Sequence, residues 1–143
     1  MITETPSVSQ LSQVISQAVA PAFILGALAA FISVLILRMN RVVDRSQSLN
    51  AIGDADTARA RLKADLPRLK QRAALLNGAI LYATVSAIFA TLLILVAFVI
   101  AFFGVEHERG IAVLFIVTLG FFAAALVNLA RETRIALHEF DYY

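Results

Sequence analysis

The sequence predicts an all-α integral membrane protein built as a bundle of three transmembrane helices. Three long stretches, 19–37, 78–105 and 111–130, contain no Asp, Glu, Lys, Arg or His. Each can cross a hydrocarbon layer of about 30 Å as a helix that rises about 1.5 Å per residue. Charged residues make up only 15% of the chain, against about 25% in a typical soluble domain. The composition therefore leaves no room for a separate soluble domain.

Basic residues concentrate between the first two spans and predict the orientation. Segment 38–72 holds nine of the twelve Lys and Arg residues and four of the ten acidic residues, so its net charge is +5. Short basic loops remain in the cytoplasm. We therefore expect the N-terminus outside, segment 38–72 inside, the 105–110 loop outside and the C-terminus inside. The basic pI indicates contact with anionic lipid headgroups on the cytoplasmic side and no nucleic-acid partner.

The predicted elements form a single membrane domain over residues 1–143. Val8, Leu11 and Ile15 recur at helical spacing opposite Ser and Gln, which predicts an amphipathic outer helix over 7–18. This helix either lies in the outer interface or extends the first span outward. The remaining segments are the first span (19–37), a basic cytoplasmic hairpin (38–72), the second span (73–105), the third span (111–130) and a cytoplasmic tail (131–143).

The basic segment is predicted to extend the first two spans into the cytoplasm as an antiparallel helical hairpin. Both arms carry a seam at alternating steps of three and four, as in coiled coils. The seams are Leu35, Met39, Val42, Ser46 and Leu49, and Leu62, Leu66, Leu69, Ala73 and Leu76. Folding at residues 50–56 pairs the seams in one register. The alternative is a flexible basic loop with accidental periodicity.

The same register brings two pairs of opposite charges together. Asp44 is expected near Arg68, and Arg45 near Asp65. Pro67 interrupts the returning arm, because proline disfavours a helix interior. It predicts either a kink or a helix that restarts with Asp65 as its N-cap.

Small residues repeat every fourth position on each span and predict contact faces. Helices in a membrane associate through close packing and polar contacts rather than through hydrophobic burial. The residues assigned to helix packing are Ala22, Gly26, Ala30, Gly120, Ala124 and Asn128. Three such stripes exceed what one loose bundle needs, so some are expected to face other subunits of a homo-oligomer. The alternative is internal packing of a monomer.

No catalytic, cofactor-binding or metal-binding residues are predicted, and the chain is not expected to be an enzyme. It has no cysteine, no Gly-rich phosphate loop and no nucleophile–base constellation. The polar stretches Glu106-His107-Glu108 and 138–141 offer too few converging ligands for a closed metal site. In an oligomer, copies of Glu106-His107-Glu108 from several subunits could form a ring that attracts cations. No charged residue lies at mid-membrane, which argues against a proton relay.

Short motifs spread over nearly the whole chain carry a family resemblance. They are Val14-Ile15, Pro21-Ala22-Phe23, Arg38-Met39-Asn40-Arg41-Val42-Val43-Asp44-Arg45, Leu69-Lys70-Gln71-Arg72-Ala73, Asn77, Ala79-Ile80 and Leu129-Ala130-Arg131-Glu132. In these the sequence resembles the bacterial DUF2721 family, which has no assigned function. The resemblance implies a multi-pass protein of the bacterial inner (cytoplasmic) membrane with three spans. It carries over no active-site residues.

The charged motif residues are expected to lie at the inner membrane surface. One group would bind lipid headgroups or ring the inner mouth of a pore: Arg38, Arg41, Arg45, Lys70 and Arg72. A second group would form a structural charge network: Asp44, Asp65, Arg68, Arg131 and Glu132. Networks of several charges fix geometry better than isolated surface pairs do. We expect Glu132 to contact an arginine of the first span's exit (38–45), with Arg41 or Arg45 as the preferred partner.

The leading functional hypothesis is a non-enzymatic homo-oligomer that conducts ions through a central pore. The alternatives are an accessory or assembly subunit of a larger membrane complex and a lipid-binding membrane organiser. A pore requires a closed ring of subunits, whereas an accessory subunit should purify with foreign proteins. The sequence leaves the subunit number, the permeant ion and the partner complex open.

Overall fold

The computed structural model describes residues 7–53, 55, 57–105 and 108–138, and these residues form an all-α fold. Its long helices are α1 (Val8–Asn50), α3 (Leu66–Phe103) and α4 (Glu108–His138). A short helix α2 (Thr57–Ala60) and a 3₁₀ helix (Arg61–Asp65) connect α1 to α3. All three long helices are long and apolar enough to cross a membrane, which agrees with the prediction of three candidate spans.

α1 is one continuous helix that includes the amphipathic N-terminal stretch. Its 43 residues span about 65 Å, roughly twice the thickness of a hydrocarbon layer. The Gln10 N–H donates to Ser7 Oγ at 3.3 Å, and the Ser7 N–H donates to Gln10 Oε1 at 3.1 Å. This capping box satisfies two backbone donors that a helix start otherwise leaves without partners. Residues 8–18 therefore extend the first span rather than forming a separate interfacial helix.

α3 is the central helix and packs along both α1 and α4, which approach each other at only a few positions. Its buried residues alternate between steps of three and four, the pattern of a coiled-coil seam. From the N-terminal side of α3 they are Leu76, Ala79, Ala83, Ser86, Ala90, Leu93 and Ala97. Because most of these side chains are small, the neighbouring helices can approach α3 closely.

The two helices that flank α3, α1 and α4, bury residues at intervals of seven. In α1 the buried stripe is Pro21, Leu28, Leu35, Val42 and Leu49, and in α4 it is Thr118, Ala125 and Glu132. A strict seven-residue repeat keeps one stripe facing the same partner along the length of a helix, with a left-handed supercoil. The stripe of α4 thus ends on a carboxylate.

The two predicted seams lie in one hydrophobic core. Leu35, Val42 and Leu49 of α1 cluster with Leu69 and Leu76 of α3. The partly buried members that pack against this cluster include Met39, Leu62, Leu66 and Ala73. The seam residues of the two arms therefore pack together over the whole stretch from Leu35 to Leu49, with the polar Ser46 partly exposed beside them.

The returning arm restarts as a helix at the predicted place. α3 begins at Leu66 with Asp65 in the N-cap position and Pro67 in the first turn, where a missing N–H costs nothing. The Asp65 side chain makes no capping hydrogen bond. No salt bridge joins Asp44 to Arg68 or Arg45 to Asp65, all four of which are described residues, so these two expected pairs are absent.

The α3–α4 interface contains a buried hydrogen bond within the apolar stretches. Ser86 Oγ donates to the Thr118 carbonyl oxygen at 2.7 Å, and both residues are buried. Thr118 Oγ1 donates to the Leu114 carbonyl of its own helix at 2.8 Å. The Ser86 hydroxyl is thus a direct polar link between α3 and α4.

Replacing Ser86 with Ala should remove this link and lower the free energy of unfolding by about 0.6 kcal/mol, with an upper bound of about 1.7 kcal/mol. Thermal unfolding in detergent measures the loss. Thr84→Ala is the matched control, because Thr84 Oγ1 donates only to the Ile80 carbonyl of its own helix. Equal losses in the two variants would contradict an interhelical contribution from Ser86.

Candidate functional site: the Glu132 charge cluster

Glu132 of α4 is a fully buried carboxylate that joins all three long helices. Its exposed fraction is 0%. Glu132 Oε2 accepts a hydrogen bond from Arg38 Nη1 of α1 at 2.7 Å, and Oε1 accepts one from Arg72 Nε of α3 at 3.0 Å. Both carboxylate oxygens therefore contact a guanidinium group, each from a different helix. We call Arg38, Arg72, Glu132 and Thr133 the Glu132 cluster.

The arginines of the Glu132 cluster are less buried than the carboxylate. The side chains of Arg38 and Arg72 are 32% and 18% exposed. Arg38 Nη1 also donates to Thr133 Oγ1 at 2.8 Å. Burying a lone carboxylate costs several kcal/mol, and this cost is offset only by well-formed, charge-assisted hydrogen bonds. The geometry provides two such bonds, and the cluster keeps a net charge of +1.

The Glu132 cluster lies where the apolar stretches end. Arg38 directly follows the stretch 19–37, and Glu132 is the second residue after the stretch 111–130. Arg72 precedes the stretch 78–105 by six residues. Each of the three long helices therefore places one charged residue of the cluster close to the end of its apolar stretch.

Asn128 lies one helical turn before Glu132, against Gly78 of α3. A Cβ atom built on Gly78 would lie 2.7 Å from Asn128 Nδ2, well inside contact distance. The absence of a side chain at Gly78 is thus what makes room for the Asn128 amide. No hydrogen bond to this amide occurs within the described part of the chain. The α3–α4 interface is therefore tight on the apolar side of the Glu132 cluster.

The expected contact of Glu132 with an arginine of the first span's exit is confirmed, but the preferred choice of Arg41 or Arg45 is wrong, because the carboxylate contacts Arg38 and also Arg72 of α3. The reason is the side of α1 that faces α4. Phe31 lies seven residues before Arg38, on the same side of the helix, and its ring meets that of Phe122 of α4 at a centroid distance of 5.5 Å. Arg41 and Arg45 are exposed.

Most other charged residues that were predicted to lie at the inner membrane surface have exposed side chains. Six are exposed and one, Asp65, is partly buried. The exposed residues are Arg41, Asp44, Arg45, Lys70 and Arg131, together with Arg68 at the start of α3. The structure therefore divides the predicted basic group, since Arg38 and Arg72 neutralise a carboxylate while the remaining members face the surroundings.

The predicted packing residues also divide into two sets. Asn128 and Ala124 are partly buried on α4, whereas Ala22, Gly26 and Ala30 of α1 are exposed. Gly120 is exposed as well, and nothing lies within 4 Å of a Cβ built on Gly26 or Gly120. The small-residue face of α1 thus makes no close helix contact within the part of the chain that the structure describes.

Among the described residues, no group of three or more His, Cys, Asp or Glu side chains converges on a metal position. The cation ring proposed for Glu106-His107-Glu108 falls partly outside the described residues, as do Glu139 and Asp141 of the 138–141 stretch. The described part of the predicted tail, up to His138, continues α4 as a helix.

The comparisons with known proteins give one match. Residues 18–142 match the family described as "Protein of unknown function (DUF2721)", which is nearly the whole chain. No curated protein and no solved structure matches the chain.

Proposed function

Since the chain belongs to the DUF2721 family, whose members are grouped without a function, we propose its role from its own surfaces: a non-enzymatic membrane protein that assembles with copies of itself. The observation that supports assembly is the exposed small-residue face of α1. A concave surface of about 570 Å³ lies on this face, lined by Val19, Ala22, Phe23, Gly26 and Ala27. Small residues of this kind let helix backbones approach closely in a membrane.

Ion conduction is the activity that we propose for such an assembly. Within one chain the seams on both sides of α3 are filled by packed side chains, so a pore would have to lie between chains. The exposed cations at one end of the helices, Arg41, Arg45 and Lys70, would then surround its mouth. In the orientation given by the positive-inside rule, this mouth faces the cytoplasm of a bacterial inner membrane.

A lipid-binding role is the second candidate, and the same exposed cations support it. Arg41, Arg45, Lys70 and Arg131 are exposed near the ends of the apolar stretches. A basic residue near an anionic membrane surface contributes about 1 kcal/mol of attraction. Binding to anionic vesicles that weakens with added salt would favour this role, because exposed charges are screened.

The test of assembly is the mass of the native particle after gentle extraction from its own membrane. A homo-oligomer would appear as an integral multiple of 15.5 kDa. Gly26→Leu should reduce it to single chains without lowering the unfolding temperature, because the space around Gly26 is open within the chain. Ala123→Leu, at an exposed position of α4, is the matched control and should keep the oligomer.

A single-chain mass for the unsubstituted protein would contradict assembly, and an oligomer that survives Gly26→Leu would contradict the small-residue face of α1 as its interface. Purification at a fixed ratio with foreign subunits would instead favour the accessory role. Ion flux into vesicles then tests conduction. We expect flux from the unsubstituted protein and from Ala123→Leu, and none from Gly26→Leu. An oligomer without flux would remove the pore and keep the assembly.

A further inference from the structure

The ends of the three helices opposite the Glu132 cluster enclose a cleft of about 450 Å³. Near the Glu132 cluster, α1 and α4 are linked by the Arg38–Glu132 hydrogen bond and the Phe31–Phe122 ring contact. At the opposite end both helices line the cleft, with α3 between them. The volume lies in the range of small-molecule sites, about 300–1,000 Å³, and sites between helices of a bundle are common.

The interior of the cleft is apolar. Leu93 of α3 is buried and contributes to its lining. Ala20 and the buried Pro21 of α1 line one side, and Ala112 and Phe115 of α4 line the other. Such a surface suits an aliphatic chain, which gains free energy by leaving water and loses nothing by leaving lipid.

Two polar side chains complete the lining, Gln17 of α1 and Glu108 of α4. Glu108 is the first residue of α4, so the carboxylate lies at the edge of the apolar stretch. It makes no salt bridge or hydrogen bond within the described part of the chain. A carboxylate accepts hydrogen bonds only, as does the amide oxygen of Gln17. The cleft therefore combines an apolar interior with a negatively charged acceptor at one edge.

We propose that this cleft binds a lipid with a primary ammonium headgroup, of the phosphatidylethanolamine class, with the ammonium against Glu108 and an acyl chain in the cleft. An ammonium group donates three hydrogen bonds, which Glu108 and Gln17 accept. A choline headgroup has no such donor, and the headgroup of phosphatidylglycerol has no cation to pair with the carboxylate. The cleft therefore differs in selectivity from the basic end of the molecule. The proposal does not depend on assembly or conduction.

Native mass spectrometry of the full-length protein in detergent tests this proposal. The probes are phosphatidylethanolamine, phosphatidylcholine and phosphatidylglycerol, each added at the same concentration. We expect one phosphatidylethanolamine to be retained about fivefold more tightly than phosphatidylcholine, a typical gain for one partly exposed ionic hydrogen bond. Glu108→Gln should remove this preference while the protein remains folded, since Glu108 is exposed.

Two matched controls separate the cleft from other surfaces. Asp44→Asn neutralises an exposed carboxylate at the opposite end and should keep the preference. Ala112→Trp fills the cleft and should abolish retention of the lipid, whereas Ala123→Trp on the same helix should not. Unchanged selectivity in Glu108→Gln would overturn the proposal. So would unchanged retention in Ala112→Trp, or an equal loss of selectivity in Asp44→Asn.

Discussion

Substituting Glu132 with Gln should lower the free energy of unfolding by about 1.5–3 kcal/mol, the range for hydrogen bonds to charged groups, because the two arginines that lose their anion are partly exposed. The substitution leaves Arg38 and Arg72 without their shared anion. It also replaces one of the two accepting oxygens with an amide NH₂ group. This group is a donor, so it cannot accept the hydrogen bond of the guanidinium group that faces it. Thermal unfolding in detergent should show a decrease in Tm of the order of 10 °C.

Asp44→Asn is the control for Glu132→Gln, because Asp44 is exposed and makes no salt bridge within the described residues. Its Tm should stay within about 2 °C of the unsubstituted protein, because surface substitutions usually change stability little. Arg72→Gln should cost less in the Glu132→Gln background than alone, because the two residues contact each other. Additive effects would show that the ion pair does not contribute to stability.

Gly78→Leu should lower the free energy of unfolding by about 1–3 kcal/mol, because it overpacks a closed helix interface. The first added carbon would already lie 2.7 Å from Asn128 Nδ2. Gly78→Ala should have a much smaller effect. The amide of Asn128 can rotate away from a single methyl group, and alanine gains about 0.5–1 kcal/mol over glycine within a helix. Thermal unfolding of both variants measures the difference.

Two further variants test whether this cost arises at Asn128. Gly120→Leu adds the same side chain in open space on α4, so its Tm should not fall. Asn128→Ala combined with Gly78→Leu should recover part of the loss, because the shortened side chain leaves room. A comparable loss in Gly120→Leu, or no recovery in the double variant, would contradict the packing explanation.

Much of the helical framework follows from the sequence alone. The charge-free stretches predicted the three long helices, and the seams through Leu35, Val42 and Leu49 and through Leu69 and Leu76 predicted the residues that share a core. Both signals are local, since each depends on the spacing of residues within one helix. The membrane orientation and the cytoplasmic position of the hairpin stay predictions, because they depend on the bilayer.

The sequence predicted that Glu132 meets an arginine at the exit of the first span, but it did not identify Arg38 or the second partner, Arg72. Thr118, Ala125 and Glu132 share the seven-residue stripe of α4, so the carboxylate had to face inward. Which arginine it meets depends on how α1 is rotated relative to α4. The spacing of the seam residues in α1 indicates only which side of the helix contacts α3. Three arginines, Arg38, Arg41 and Arg45, lie within two turns of each other after the first apolar stretch. A choice among them needs the packing of a third helix.

The order in which the chain is synthesised gives the Glu132 cluster a further meaning. Arg38 and Arg72 leave the ribosome before Glu132 does, because α4 is the last helix made. Until α4 inserts, neither guanidinium group has the Glu132 carboxylate beside it. Insertion of α4 brings this carboxylate to both arginines and links all three helices in one event. A chain interrupted before residue 132 lacks this link, so incomplete and finished chains differ chemically at the Glu132 cluster.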